Sequence, residues 1–134
     1  MNLRCAIMVV GVVCASLAPG LAESAELSKD SLKTVLEKVT DETAVLVDVR
    51  EKPEWDAGHV EGAIFLPLSS LKKSADAEAL ATLLPSDKIL YIHCVVGKRA
   101  VTAGNTLEAL DYEVRPLKPG YKELLKAGFK RAQE

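Results

Sequence analysis

Cysteine is nearly missing from this 134-residue chain: Cys5 and Cys14 lie close to the N-terminus, and Cys94 stands alone in the rest. Once the leader described below is removed, no internal disulfide can form, and a structural zinc site of several thiolates is excluded. Histidine is as scarce, with only His59 and His93. No metal-ligand cluster is visible, and no metal or other cofactor is expected. An excess of either charge is also lacking. Seventeen basic residues face 19 acidic ones, which leaves no electrostatic footprint for nucleic acid. The adjacent pair Lys72-Lys73 reads as a solvated helix face. No repeat, low-complexity segment or linker interrupts residues 26–131, and no heptad or exposed apolar stripe bears on oligomeric state.

What is present begins with a three-part leader. "MNLR" carries positive charge, "CAIMVVGVVCASLA" is a short apolar run, and "PGLA" closes it with breakers and small residues. That layout predicts a secretory signal peptide over residues 1–22, with cleavage after Ala22 or Ala25. The run from Cys5 to Ala18 falls short of the ~20 residues of a spanning helix, so no permanent membrane span is expected. A lipid anchor at Cys14 is not expected either, because Val13 stands where such sites have a small residue. The expectation is an exported, periplasmic, mildly acidic protein. Its length suits one domain with a real core.

The remainder alternates between two periodicities. Residues 27–39 recur at helical spacing with Ser28 as candidate N-cap. "TAVLVDVR" (43–50) is a β-branched run typical of a strand buried on both faces. Residues 51–62 read as loop, with at most one helical turn started by Pro53. A short strand follows (63–68), then a helix over 69–84 capped near Ser69 or Ser70 and stopped by Pro85. "KILYIHC" (88–94) is a strand, 99–112 a helix, 113–118 a strand and 120–129 a last helix, with "KRAQE" as a frayed tail. Short apolar strands alternating with helices predict an α/β domain over 27–131, a mostly parallel sheet covered on both faces. Ligands in such folds sit beyond the carboxyl ends of strands. "DVRE", "LPLSS" and "HCVVGKR" are the stretches that end there.

The last of these carries the chemistry. A lone cysteine is often a small buried hydrophobe, but Cys94 ends a strand, Gly97 can supply a left-handed turn, and a helix starts at about Arg99. The helix's free N–H groups, its dipole, Lys98 and Arg99 all favour a thiolate. The amides of residues 95–99 are expected to form a nest for a small anion. A tyrosine-phosphatase type of site also opens "HC", but it needs a longer loop, with its arginine where this chain has Ala100. The tighter loop from Cys94 to Arg99 suits a sulfur atom carried on the cysteine better than a phosphoryl group.

Three blocks, "LVDVRE" (46–51), "EWDAGHVEGAIFLPL" (54–68) and "HCVVGKRA" (93–100), followed by "YEVRPLKPGY" (112–121), resemble a single-domain rhodanese, a sulfurtransferase. The resemblance covers residues 27–129 and implies an open sheet of about five mostly parallel strands. It implies a catalytic Cys94 that accepts a sulfane sulfur as a persulfide and passes it to cyanide or a thiol. The donor would be a small sulfur-containing anion such as thiosulfate, or a persulfide. Val95, Val96, Gly97 and Lys98 match the substrate-binding loop, Arg99 its catalytic cation, and Asp48 and Arg50 the bracing "DVR" element. Glu54 to Ala63 match a block read as mainly architectural, with Trp55 packed beneath the loop. Val95 departs from the arginine that many rhodaneses place after the cysteine, which removes a cation that would attract thiosulfate. Pro119-Gly120 replaces the family's "GG" at the rim. His93 reads as a satisfied core histidine, His59 as a loop brace, and Asp48 and Arg50 as a structural pair. The alternatives are a non-catalytic sulfur-binding, sensing or docking module and, less well matched, a cysteine-dependent phosphatase or arsenate reductase.

Overall fold

The computed structural model describes residues 25–133; the leader with Cys5 and Cys14 lies outside the described residues. Helix α1 (Leu32–Thr40) is capped by Ser31, whose Oγ accepts the Thr34 N–H at 3.1 Å. Ser28 caps nothing because its Oγ is taken by the N–H of Asp30 in the turn before. Strand β1 (Ala44–Asp48) leads through α2 (Lys52–Ala57), entered at a proline, to the short β2 (Ile64–Phe65). The helix expected over 69–84 is two helices, α3 (Leu68–Lys73) and α4 (Ala77–Leu83). The break follows from side-chain chemistry: Ser74 goes extended and Asp76 caps a fresh start by accepting the Glu78 N–H. Strand β3 (Ile89–His93), helix α5 (Lys98–Glu108), strand β4 (Val114–Pro116) and helix α6 (Tyr121–Lys126) complete the order.

The strands form one parallel sheet in the order β2-β1-β3-β4. It has four strands among the described residues, where about five were expected. Ser28 N–H reaches the Pro116 carbonyl at 2.7 Å along the β4 edge, but proline has no N–H to return, and no ladder develops. One face buries Val47, Val49, Leu90 and Ile92 against Leu71, Leu80, Ala103 and Leu107 of α3, α4 and α5. The other buries Leu46 and Tyr91 against Val35 of α1 and Leu124 of α6. Helices therefore cover both faces, as the continuous apolar runs require. No described helix is long and apolar enough to cross a membrane.

Two features tie down the ends. Tyr91 Oη donates to Asp30 Oδ2 at 2.5 Å, and Arg115 Nη1 reaches the same oxygen at 2.9 Å. At the C-terminal end the tail is paired, not frayed. Val60 and Arg131 form an antiparallel bridge, and the N–H groups of Glu61 and Ala132 bond the carbonyls of Lys130 and His59. The chain turns back at β1: one connection leads out to β2, the next crosses to β3 on the other side. The crevice between the carboxyl ends of β1 and β3, where Asp48 and His93 are register partners, is the topological switch point.

Leu107 anchors α5, and hence the loop before it, to the sheet. Leu107→Ala is expected to lower the free energy of urea unfolding by about 2–5 kcal/mol with the slope unchanged, since the cavity it leaves cannot collapse around a rigid sheet.

Candidate active site

Cys94 follows directly on β3, and the backbone then turns sharply enough that the Gly97 N–H donates to Cys94 Sγ at 3.1 Å. Gly97 adopts φ 97°, a left-handed conformation that a side chain disfavours, and it is the N-cap residue of α5. A Cβ there would also press on the backbone of Leu117 and Lys118. The sulfur thus sits at the N-terminal end of α5, with a donor already aimed at it. Of the amides expected to form a nest, the Gly97 N–H is the one that reaches Sγ among the described residues.

Cys94 is only 1% exposed, and it lines a cavity of 520 Å³. Arg50, Glu54, Gly58 and Tyr121 line it together with Val95 and Val96. Gly120 is the position where the 119–120 segment passes over the loop. A Cβ on it would stand 2.6 Å from the Val95 carbonyl oxygen and 2.9 Å from that of Cys94, so only glycine lets the two backbones approach.

Asp48 and Arg50 brace the site. Arg50 Nε lies 3.0 Å from both carboxylate oxygens of Asp48 and Nη2 2.7 Å from one of them, while Nη2 also donates to the Gly58 carbonyl at 2.8 Å. The guanidinium lies 4.9 Å from the Tyr121 ring centroid. Both ions are buried; removing one partner from such a pair typically costs about 3–5 kcal/mol, because the other charge is stranded.

Arg99 itself does not line the Cys94 cavity, although its partner Glu54 does. Its guanidinium grips Glu54 in a two-pronged fork, Nη1 to Oε1 at 2.6 Å and Nη2 to Oε2 at 3.0 Å. Glu54 Oε1 also accepts the Glu51 N–H at 3.1 Å, and Glu51 in turn holds Ser69 through its N–H and hydroxyl. A chain of polar contacts runs from the start of α3 through α2 to the first turn of α5. The bond from Arg99 holds the Glu54 carboxyl at about 2, against an ordinary 4.5. Lys98 is exposed, and neither it nor Arg99 lines the Cys94 cavity.

The two histidines play different parts. His93 is fully buried beside Asp48, on the sheet face opposite Cys94, and burial pushes its pKa down, so it is neutral. It is a core residue, yet not a satisfied one. Neither ring nitrogen has a hydrogen-bond partner among the described residues, and Nε2 stops 3.6 Å from Asp48 Oδ2. His59 stacks on Trp55 with ring centroids 3.5 Å apart, and its Nδ1 lies 3.0 Å from the Trp55 carbonyl. Trp55 packs on His59 and Phe65.

With this geometry in hand, the comparison with known proteins is direct. The sequence matches the family model of the rhodanese-like domain over residues 31–127. The chain belongs to that family. It is 36% identical over 90 residues to the uncharacterized protein YqhL of Bacillus subtilis, covering 66% of this chain and 60% of that one. It is 31% identical over 96 residues to the putative sulfur carrier protein YrkF of the same organism, covering 71% and 44%. The chain therefore spans less than two thirds of either relative. Among solved structures, a human single-domain sulfurtransferase superposes with a TM-score of 0.62 at 27% identity, covering 72% of this chain and 94% of that one. This rhodanese-like domain thus has sulfurtransferase-related relatives.

Sequence reasoning missed Glu54, taken as architecture, and Tyr121, which walls the cavity. No local pattern could reveal Glu54, since its partner lies 45 residues away. The lowered pKa gives Glu54 a pH signature. Its ion pair stabilises the fold fully above about pH 4.5 and loses that contribution as pH falls toward 2. Wild type should therefore be more stable than Glu54→Gln at pH 7, with the gap in urea midpoint closing below pH 4.5. A gap independent of pH would show that the pair does not carry the difference.

Proposed function

We propose that this rhodanese-like domain is a sulfurtransferase working through a persulfide on Cys94. The observation that carries the reading is that Cys94 lines a cavity and receives the Gly97 N–H on its sulfur at 3.1 Å. A thiolate there attacks the outer sulfur of a donor. With thiosulfate, the S–S bond of the donor breaks, a new S–S bond forms on Cys94, and sulfite leaves with the bonding pair. The Gly97 amide and the end of α5 meet the negative charge on sulfur. A nucleophilic acceptor such as cyanide or a thiol then takes the outer sulfur and regenerates the thiolate. Every step uses groups of this chain and its two substrates, with no cofactor.

A phosphatase reading has less support, because the Arg99 guanidinium is engaged by Glu54 and does not line the cavity where a phosphoryl group would sit. Export is proposed from the leader. Of the two cleavage points, the one after Ala22 is favoured by Ala25: it is 7% exposed, and its N–H donates to Asn105 Oδ1 at 2.5 Å. Cleavage after Ala25 would remove that contact.

The test is intact mass before and after incubation with thiosulfate and, separately, with an organic persulfide. Wild type is expected to gain one sulfur and to surrender it to cyanide as thiocyanate. Cys94→Ser is expected to do neither, because a hydroxyl forms no persulfide. A wild type that gains no sulfur from either donor would overturn the reading. A persulfide that forms but withstands excess cyanide and thiol would instead support a sensing or carrier module.

A further inference from the structure

The charges around Cys94 are spoken for in a way that selects the donor. Resting on the transferase reading, we propose that the site's donor is an organic persulfide, R–S–SH with an uncharged body, in preference to thiosulfate, and that Glu54 together with Val95 and Val96 sets this preference.

Thiosulfate enters as a dianion and leaves sulfite, another dianion, so a site built for it needs cations not already neutralised. This one has few. Arg50 is buried against Asp48 and lies over the Tyr121 ring. Arg99 is closed onto Glu54 by the two-pronged fork. Among the side chains that line the cavity, Arg50 is paired with Asp48 and Glu54 with Arg99, which leaves Lys122, next to Glu123, as the one lining cation without a salt bridge among the described residues. Lys98 is exposed at the first turn of α5 and does not reach the lining.

The rest of the mouth is apolar. Val95 is 51% exposed and Val96 62%, in a protein whose other large hydrophobics are mostly buried. A second cavity of 330 Å³ adjoins the first across these valines, walled by Lys118, Pro119 and Gly120. Cavities of roughly 300–1,000 Å³ accommodate organic molecules, which bury their apolar surface there. A small inorganic anion would gain nothing from the valines and would leave most of the space empty. An organic persulfide places its body on the valines and its terminal sulfur at Cys94.

The step balances without a co-reactant. The Cys94 thiolate attacks the outer sulfur of R–S–SH, the donor S–S bond breaks and a Cys94 S–S bond forms. The proton stays on the transferred sulfur, and R–S⁻ departs with a single charge, which asks less of the surrounding cations than sulfite does.

The experiment measures the rate of sulfur loading on the purified chain by intact mass, with thiosulfate and with the freshly generated persulfide of N-acetylcysteine methyl ester. Two variants accompany it. Glu54→Gln leaves the fork's shape but releases the Arg99 charge, and Val95→Arg adds a cation at an exposed position where folding is not at stake. Wild type is expected to load faster from the organic persulfide. In each variant the ratio of thiosulfate to organic-persulfide rate constants is expected to rise about 10-fold, the low end of what focused charge gives to association with an anion. Thiosulfate loading as fast as the organic donor in wild type, or a ratio unmoved in both variants, overturns this proposal and leaves the transferase reading standing. Failure of both donors to load Cys94 overturns the transferase reading and this one with it.

Discussion

A guanidinium taken out of water must find partners for its donors and its face, and Arg50 finds them on three separate segments. It bonds the carboxylate of Asp48 at the end of β1, the carbonyl of Gly58 after α2, and the ring of Tyr121 at the start of α6. Arg50, Gly58 and Tyr121 all line the Cys94 cavity, so the buried ion helps set its shape. The loop after β3 is fixed by Gly97 in its left-handed turn and by the close approach of the Gly120 backbone.

The strands and most helices were legible because their causes are local. Unbroken β-branched runs give strands buried on both faces, and a cysteine followed by glycine at the end of one gives the loop. The errors share a physical origin in competition that local pattern cannot rank. Helical periodicity over 69–84 lost to an extended Ser74 and to Asp76, whose side chain bonds the Glu78 N–H and caps a new helix. The tail looked frayed because its pairing with residues 59–61 is tertiary. A fifth strand was expected from the family resemblance, and the described chain has only one hydrogen bond there, to a proline.

At the site, the residues were legible but their charges were not. Cys94, Gly97 and the Asp48–Arg50 pair stand where the sequence placed them. Arg99 was read as the catalytic cation of the loop; its guanidinium bonds Glu54 on α2, a residue that lines the Cys94 cavity. Which acid an arginine meets is decided by how helices pack against the sheet. That packing also gives a block read as mainly architectural an ion pair: α2 delivers Glu54 to Arg99 while Glu51 ties the same helix to Ser69.

The near-complete burial of Cys94 bears on what the outside world meets. With 1% exposure, the bare sulfur offers little surface to bulky oxidants or alkylating agents. A second sulfur bonded to it would stand about 2.05 Å further out, in the open volume of the cavity. Under the proposed persulfide chemistry the carrier atom would stay sheltered while its cargo is presented, so an acceptor could distinguish a loaded domain from an empty one by reach alone.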